Sequence, residues 1–209
     1  MRRPGAGSGP VPVEVLGRRP FEEIHAEMRA IAASIRTQGS PGKVLLVEHD
    51  PVFTAGRATP DSDLRSDIVP IERGGRITYH GPGQLVVYPI VPLPRRDVRA
   101  WLRALEAFGV AVCAEFGLDA EPSVDGTGVF VDGRKVASIG VAIRSWVNLH
   151  GISINVAMDL SAFHRIRPCG LDPDIMSDLS RCAGRAISLA EAIDAAARQV
   201  PALLGEPSA

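Results

Sequence analysis

No apolar run in this chain is longer than a few residues; Lys43–Val47 (KVLLV) and Leu85–Val91 (LVVYPIV) are typical. Runs of that length bury as strands, and none approaches the ~20 residues a membrane-crossing helix needs. A core must therefore be assembled from many short strands and a few amphipathic helices. The clearest helix follows Asp97, a good N-cap. Val98, Trp101, Leu102, Leu105, Phe108, Val112 and Phe116 recur at helical spacing, and Gly117 is placed to end it. A second helix is predicted with Pro20 at its first position, Glu22 and Glu23 in its first turn, and a stop at Gly39. Ser188-Leu-Ala-Glu191 is a capping box opening a third, whose expected stripe is Leu189, Ile193, Ala196, Val200 and Leu203.

Strands are predicted at Val11–Leu16, Lys43–Val47, Ile68–Glu72, Leu85–Val91, Gly128–Val131, Lys135–Ile143, Trp146–Leu149 and Ile152–Val156, with a hairpin turn at Asp132-Gly133. Residues 50–67 read as loop with at most short pieces of structure. Strands outnumber helices, and helices stand at the start, middle and end. The expected fold class is α+β (mixed α/β), with helices packed on a largely antiparallel sheet. Residues 1–10 read as a loose tail and 11–209 as one domain.

The net charge of −1 disfavours a wholesale nucleic-acid binder, and no membrane association is expected. No apolar stretch follows Met1-Arg2-Arg3-Pro4, so no signal peptide is expected. Three cysteines are no disulfide framework, which fits a reducing cytoplasm. The five histidines show neither H-E-x-x-H nor H-x₃₋₅-H spacing, so no metal site is expected.

Two segments could carry chemistry. Arg73–Gln84 (RGGRITYHGPGQ) holds four glycines, which let backbone amides approach a ligand, although a bulged hairpin loop would look the same. It lacks the Gly-Lys-Ser/Thr of a phosphate-binding loop. Among the thiols, Cys113 lies beside the apolar face of the central helix and reads as core, while Cys182 is open to either reading. Cys169 stands between Pro168 and Gly170 with Arg165 and Arg167 close in sequence, surroundings that favour a thiolate. Of 23 basic residues only Lys43 and Lys135 are lysines. A lysine kept in an arginine-rich chain can mark a need for an amine that deprotonates, although base composition accounts for the bias equally well.

Taken together, Glu48–Arg57 (EHDPVFTAGR), Arg73–Pro89 (RGGRITYHGPGQLVVYP), Gly133–Ile143 (GRKVASIGVAI), His150–Val156 (HGISINV) and Arg167–Leu171 (RPCGL) resemble, in order and spacing, the bacterial octanoyltransferases of the biotin/lipoate protein ligase superfamily. That resemblance implies transfer of an octanoyl group from acyl carrier protein to a lysine of lipoyl-accepting domains, those of 2-oxoacid dehydrogenase complexes and the glycine cleavage H protein. It implies Cys169 as nucleophile and Lys135 as its acid–base partner, with no cofactor. The implied acyl-binding walls are Arg73, Gly74, Gly75, Arg76, Ile77, Thr78, Tyr79 and His80; Ser138, Ile139 and Gly140; and Gly151, Ile152 and Ser153. His49 and Gln84 are expected nearby. Burying the chain at about 0.8 kcal/mol per methylene supplies roughly 5 kcal/mol, so an apolar slot is expected. Arg57, Arg76, Arg144, Arg165 and Arg167 are expected either to meet acidic partner domains or simply to be solvated. Two other readings are an ATP-dependent lipoate ligase or lipoyl amidotransferase, and a catalytically silent carrier-binding protein on the same fold.

Overall fold

A computed structural model of the chain describes residues 10–124, 126–166, 168 and 171–205. Cys169 and Arg167, and all but the last residue of the expected tail, lie outside the described residues. In chain order the elements are β1 (Val13–Arg19), α1 (Phe21–Gln38), β2 (Lys43–His49), β3 (Val52–Ala55), β4 (Ile68–Pro70), β5 (Ile77–His80), β6 (Gln84–Ile90), α2 (Val98–Ala114), β7 (Ala120–Pro122), β8 (Val129–Val131), β9 (Arg134–Arg144), β10 (Val147–Asn155), α3 (Leu179–Ala183) and α4 (Leu189–Leu204). None of the described helices is long and apolar enough to cross a membrane.

Seven strands form the main sheet in the order β1-β2-β6-β10-β9-β8-β7. Only β1 and β2 pair parallel; the rest is antiparallel, as expected. Because successive side chains alternate faces, β2 sends Val44 and Leu46 to one core, with α2 and α4, and Leu45 and Val47 to another, under α1. Both faces are covered, which explains why β2 and β6 read as continuous apolar runs rather than alternating ones. A small second sheet, β4-β3-β5, packs its outer face on Phe163, Ile166 and Met176.

The helix ends follow local chemistry. The Asp97 carboxylate accepts from the amides of Arg99 and Ala100, and the Ser188–Glu191 capping box is complete. Asp132 and Gly133 both have positive φ, 49° and 72°, as the tight β8–β9 hairpin requires. Several expectations are corrected. Pro20 is the N-cap of α1 and not its first residue, with an extended ψ of 141°. The 50–67 segment needs no correction: it is loop with short pieces of structure, as expected, namely the four-residue β3 and a single 3-10 turn at Asp61–Asp63. The two strands expected at 146–156 are one, β10, which runs through Gly151. In α4 the small residues Ala192, Ala195 and Ala196 face the core while Leu189 and Ile193 are half-buried at its margin. The central helix ends at Ala114, and Gly117 (φ 74°) serves the turn beyond it, where its amide meets the Ala114 carbonyl.

Candidate active site

The Gly-rich segment folds only partly as loop. Its Ile77–His80 stretch is strand β5, paired antiparallel to β3, and the period of two sorts the expected wall residues. Thr78 and His80 face a hollow, whereas Ile77 and Tyr79 face the satellite core, with Tyr79 set between Phe53 (5.1 Å) and Phe163 (5.8 Å). Arg73 fixes the loop before it. Its guanidinium donates to the carbonyls of Gly74 (3.0 Å), Arg76 (2.7 Å) and Thr54 (2.8 Å) and to the Thr54 hydroxyl. Glycine is required across from it: a Cβ on Gly56 would lie 2.7 Å from the Arg73 Nη1 and 2.4 Å from the Gly75 carbonyl oxygen.

Two cavities meet at Arg73 and Ile139, which line both. The inner hollow is lined by Thr78, His80, Ser138, Gly140, Gly151, Ile152 and Ser153, all expected wall residues. Its other walls were not among those expected: Phe21 and Ile71 lie outside the quoted motifs, whereas Val86, Tyr88 and His150 lie within them. At about 30 Å³ it has room for about one water and not for an eight-carbon chain. The outer cavity measures about 540 Å³, within the range of small-molecule sites. Gly75, Arg76 and Lys135 line it, together with Thr127, Phe130, Leu171 and Ile175. Gly74 and His49 line neither; Gly74 ties the loop to β9 through Val141 (2.9 Å).

Lys135 stands at the start of β9 and is 3% exposed. Its ammonium donates to the Thr127 carbonyl (3.1 Å) and lies 5.6 Å from the centre of the Phe130 ring. Its backbone is fixed from the other side by the Ser177 amide, which donates to the Lys135 carbonyl at 2.9 Å, next to a bridge between Lys135 and Met176. Ser177 is held in turn: its carbonyl accepts from the Asn155 amide, the Asn155 carbonyl from Gln84, and the Gln84 carbonyl oxygen lies 2.7 Å from the His80 Nδ1. A polar chain thus runs from the inner hollow to the backbone of Lys135. The other lysine, Lys43, is a half-exposed partner of Glu14 (2.8 Å), an ordinary surface pair.

Burial sets the titration of the surrounding groups. His80 is pushed down to about 3 by desolvation, reinforced by the neighbouring His49. His49, also lowered by burial, bridges the Arg19 carbonyl and the Tyr88 hydroxyl, each at 3.0 Å, and so supports the site from behind. Cys113 is pushed up to about 12 by burial and is the inert core thiol its helix position implied. Cys182 is half-buried, with its Sγ 3.5 Å from the Ser177 Oγ. Of the arginines expected to meet partners, Arg76 reaches the outer cavity, whereas Arg165 pairs with Asp67 (2.9 Å) over the Phe53 ring.

Comparison with known proteins places the chain in a family. Residues 20–200 match the lipoyl protein ligase A/B catalytic domain. The chain is 41% identical over 198 residues to an octanoyltransferase of Geobacter metallireducens, covering 91% of this chain and 92% of that one. It is 44% identical over 161 residues to an octanoyltransferase of Cellvibrio japonicus, covering 74% of each. The crystal structure of a lipoate-protein ligase A bound with ATP superposes with a TM-score of 0.74 at 17% identity, over 95% of this chain and 87% of that one. The likeness over most of the chain, in sequence and in fold, shows that the chain belongs to the lipoyl protein ligase A/B catalytic domain family.

Proposed function

We propose that this protein is an octanoyltransferase: it takes an octanoyl group from the thioester of acyl carrier protein and delivers it to a lysine amine of lipoyl-accepting domains. The observation that carries this reading is Lys135, a buried amine at the wall of an apolar-lined cavity of about 540 Å³, in a chain 41% identical to a curated octanoyltransferase. Cys169 is the nucleophile of this reading. It lies outside the described residues; Leu171, two positions on, lines the same cavity as Lys135.

The chemistry is two acyl transfers. The Cys169 thiolate attacks the octanoyl carbonyl, and a C–S bond forms as the oxyanion develops. Collapse breaks the bond to the pantetheine sulfur, which leaves with a proton from the Lys135 ammonium. Neutral Lys135 then accepts a proton from the incoming lysine amine as that nitrogen attacks the acyl-enzyme. The second collapse forms the amide and returns Cys169 to thiolate. The Thr127 carbonyl can hold Lys135 in place in both protonation states, because ammonium and amine are both donors. Thioester exchange is near balance and amide formation is downhill, so no nucleotide is needed.

Intact-mass analysis after mixing with octanoyl carrier protein tests the proposal. One octanoyl adduct is expected, removed by hydroxylamine and absent in Cys169→Ser. Acylation from free octanoate and ATP without carrier protein would instead make the protein a ligase.

A further inference from the structure

Three side chains from three distant stretches of sequence converge beside the inner hollow and have no part in the transfer chemistry. His25 comes from α1, Glu72 from the segment after β4, and His150 from β10. We propose that His25, Glu72 and His150 form a divalent transition-metal site, with zinc as the best-matched ion, which ties α1 to the Gly-rich segment and to β10.

The geometry carries this. Both imidazoles aim Nε2 at the same carboxylate oxygen: the His25 Nε2 lies 2.9 Å from the Glu72 Oε2, and the His150 Nε2 lies 3.7 Å from it. All three ligand atoms lie within 4.8 Å of one another. An ion bonded at ~2.0–2.1 Å to each ligand in a tetrahedral arrangement needs them about 3.3 Å apart, and the two observed edges bracket that spacing. The His150 Nε2 is buried and makes no hydrogen bond, since 3.7 Å to the carboxylate is too long for one. An imidazole nitrogen in that state is costly unless something else satisfies it.

His150 is also held there against backbone preference. Its φ is 63°, an uncommon value for any residue with a side chain. The Asn148 side-chain amide, which also bonds the Pro89 carbonyl, donates to the His150 carbonyl at 3.0 Å and fixes that turn of the chain. The donor set suits the ion: two imidazoles and a carboxylate leave a fourth position for water. The His25 and Glu72 side chains retain 12% and 13% exposure, which leaves an entry path. Arg29 reaches the same oxygen at 3.5 Å from an exposed side chain that can swing away. Ligands 47 and 78 positions apart cannot be found by spacing rules, so the site escaped the sequence.

The test is a titration of the untagged, EDTA-treated full chain with Zn(II), with Co(II) as a visible-absorbing substitute. One ion per chain is expected, together with a four-coordinate Co(II) spectrum and a raised melting temperature. His25→Ala and Glu72→Gln should each weaken Zn(II) binding roughly a hundredfold, and the ion should no longer raise their melting temperatures. His164→Ala, remote from the cluster, should bind as the parent does. His25→Gln repeats the measurement should His25→Ala fold poorly. Absence of binding, binding unchanged in the His25 and Glu72 variants, or binding lost only on thiol alkylation would each overturn the proposal. Octanoyl transfer can fail without affecting any of these readouts.

Discussion

Gly128 stands against the side chain of Lys135: a Cβ added to Gly128 would lie 2.8 Å from the Lys135 Cε and 3.0 Å from its Nζ. The same glycine has a φ of 146°, and its missing side chain is the space in which the amine sits. Gly128→Ala is expected to displace the ammonium from Thr127 and to lower octanoyl transfer about a hundredfold or more, the scale of a lost acid–base group. The cost to folding should exceed about 1 kcal/mol, because the φ is unfavourable and the same Cβ would lie 2.7 Å from the Ala137 carbonyl oxygen. Steady-state kinetics beside a urea melt separates the two; equal losses in both would mean that the glycine matters only for folding.

Lys135→Arg is the sharper variant. Guanidinium keeps the positive charge but does not give up its proton in a protein. The variant should therefore lose transfer by about 10²–10⁴-fold while melting close to the parent. In single-turnover mass analysis the amine-dependent half should suffer most. Parental transfer by the variant would remove Lys135 from the proton path.

Much of the architecture was legible because its rules are local. The Asp97 cap, the Ser188–Glu191 box and the Asp132-Gly133 turn were readable since each depends on residues a few positions apart. What escaped depends on tertiary neighbours. The Ile77–His80 strand was hidden in a run of glycines, because its partner β3 was itself masked by prolines and glycines. Strand β10 looked broken at His150-Gly151, yet it is continuous: Gly151 is placed where a Cβ would lie 2.1 Å from the Val87 carbonyl oxygen. Of the site, the residue types and motif order were readable. The inner hollow and the polar chain from His80 to Ser177 arise from side-chain packing, which periodicity does not report.

Ile139 separates the two cavities, together with Arg73, and is 7% exposed. Shortening it should join the 30 Å³ hollow to the outer space and ease the reach of longer chains. Ile139→Ala is expected to shift kcat/KM toward decanoyl over octanoyl carrier protein by about tenfold, since one or two methylenes in an apolar pocket carry that much discrimination. Ile139→Trp should do the reverse. An unchanged chain-length profile in both variants would place the acyl tail elsewhere.

Asn155 links Gln84 to the Ser177 carbonyl, one residue from the bridge to Lys135. Asn155→Ala removes the donor to the Ser177 carbonyl and the acceptor of one Gln84 N–H, the Gln84 amide keeping its bond to the Tyr79 carbonyl (3.2 Å). A destabilisation of about 2–4 kcal/mol is expected in chemical denaturation, since each orphaned group costs about 1–3 kcal/mol. A loss under 0.5 kcal/mol would mean that water replaces the side chain without penalty.

Acid should loosen this protein from within its histidine layer. His80 titrates near 6.5 when unfolded but is pushed down to about 3 in the fold, and His49 moves in the same direction. Between those values the unfolded chain binds more protons, so stability rises with pH there. The contribution is fully present above about pH 6.5 and is lost as pH falls toward 3, at about 1.4 kcal/mol per unit for each histidine kept neutral. Urea midpoints measured from pH 8 to pH 4 should be flat down to about 6.5 and then decline. His80→Asn should make that decline shallower, because the asparagine carries no proton to gain. A parental slope in this variant would assign the acid sensitivity to other groups.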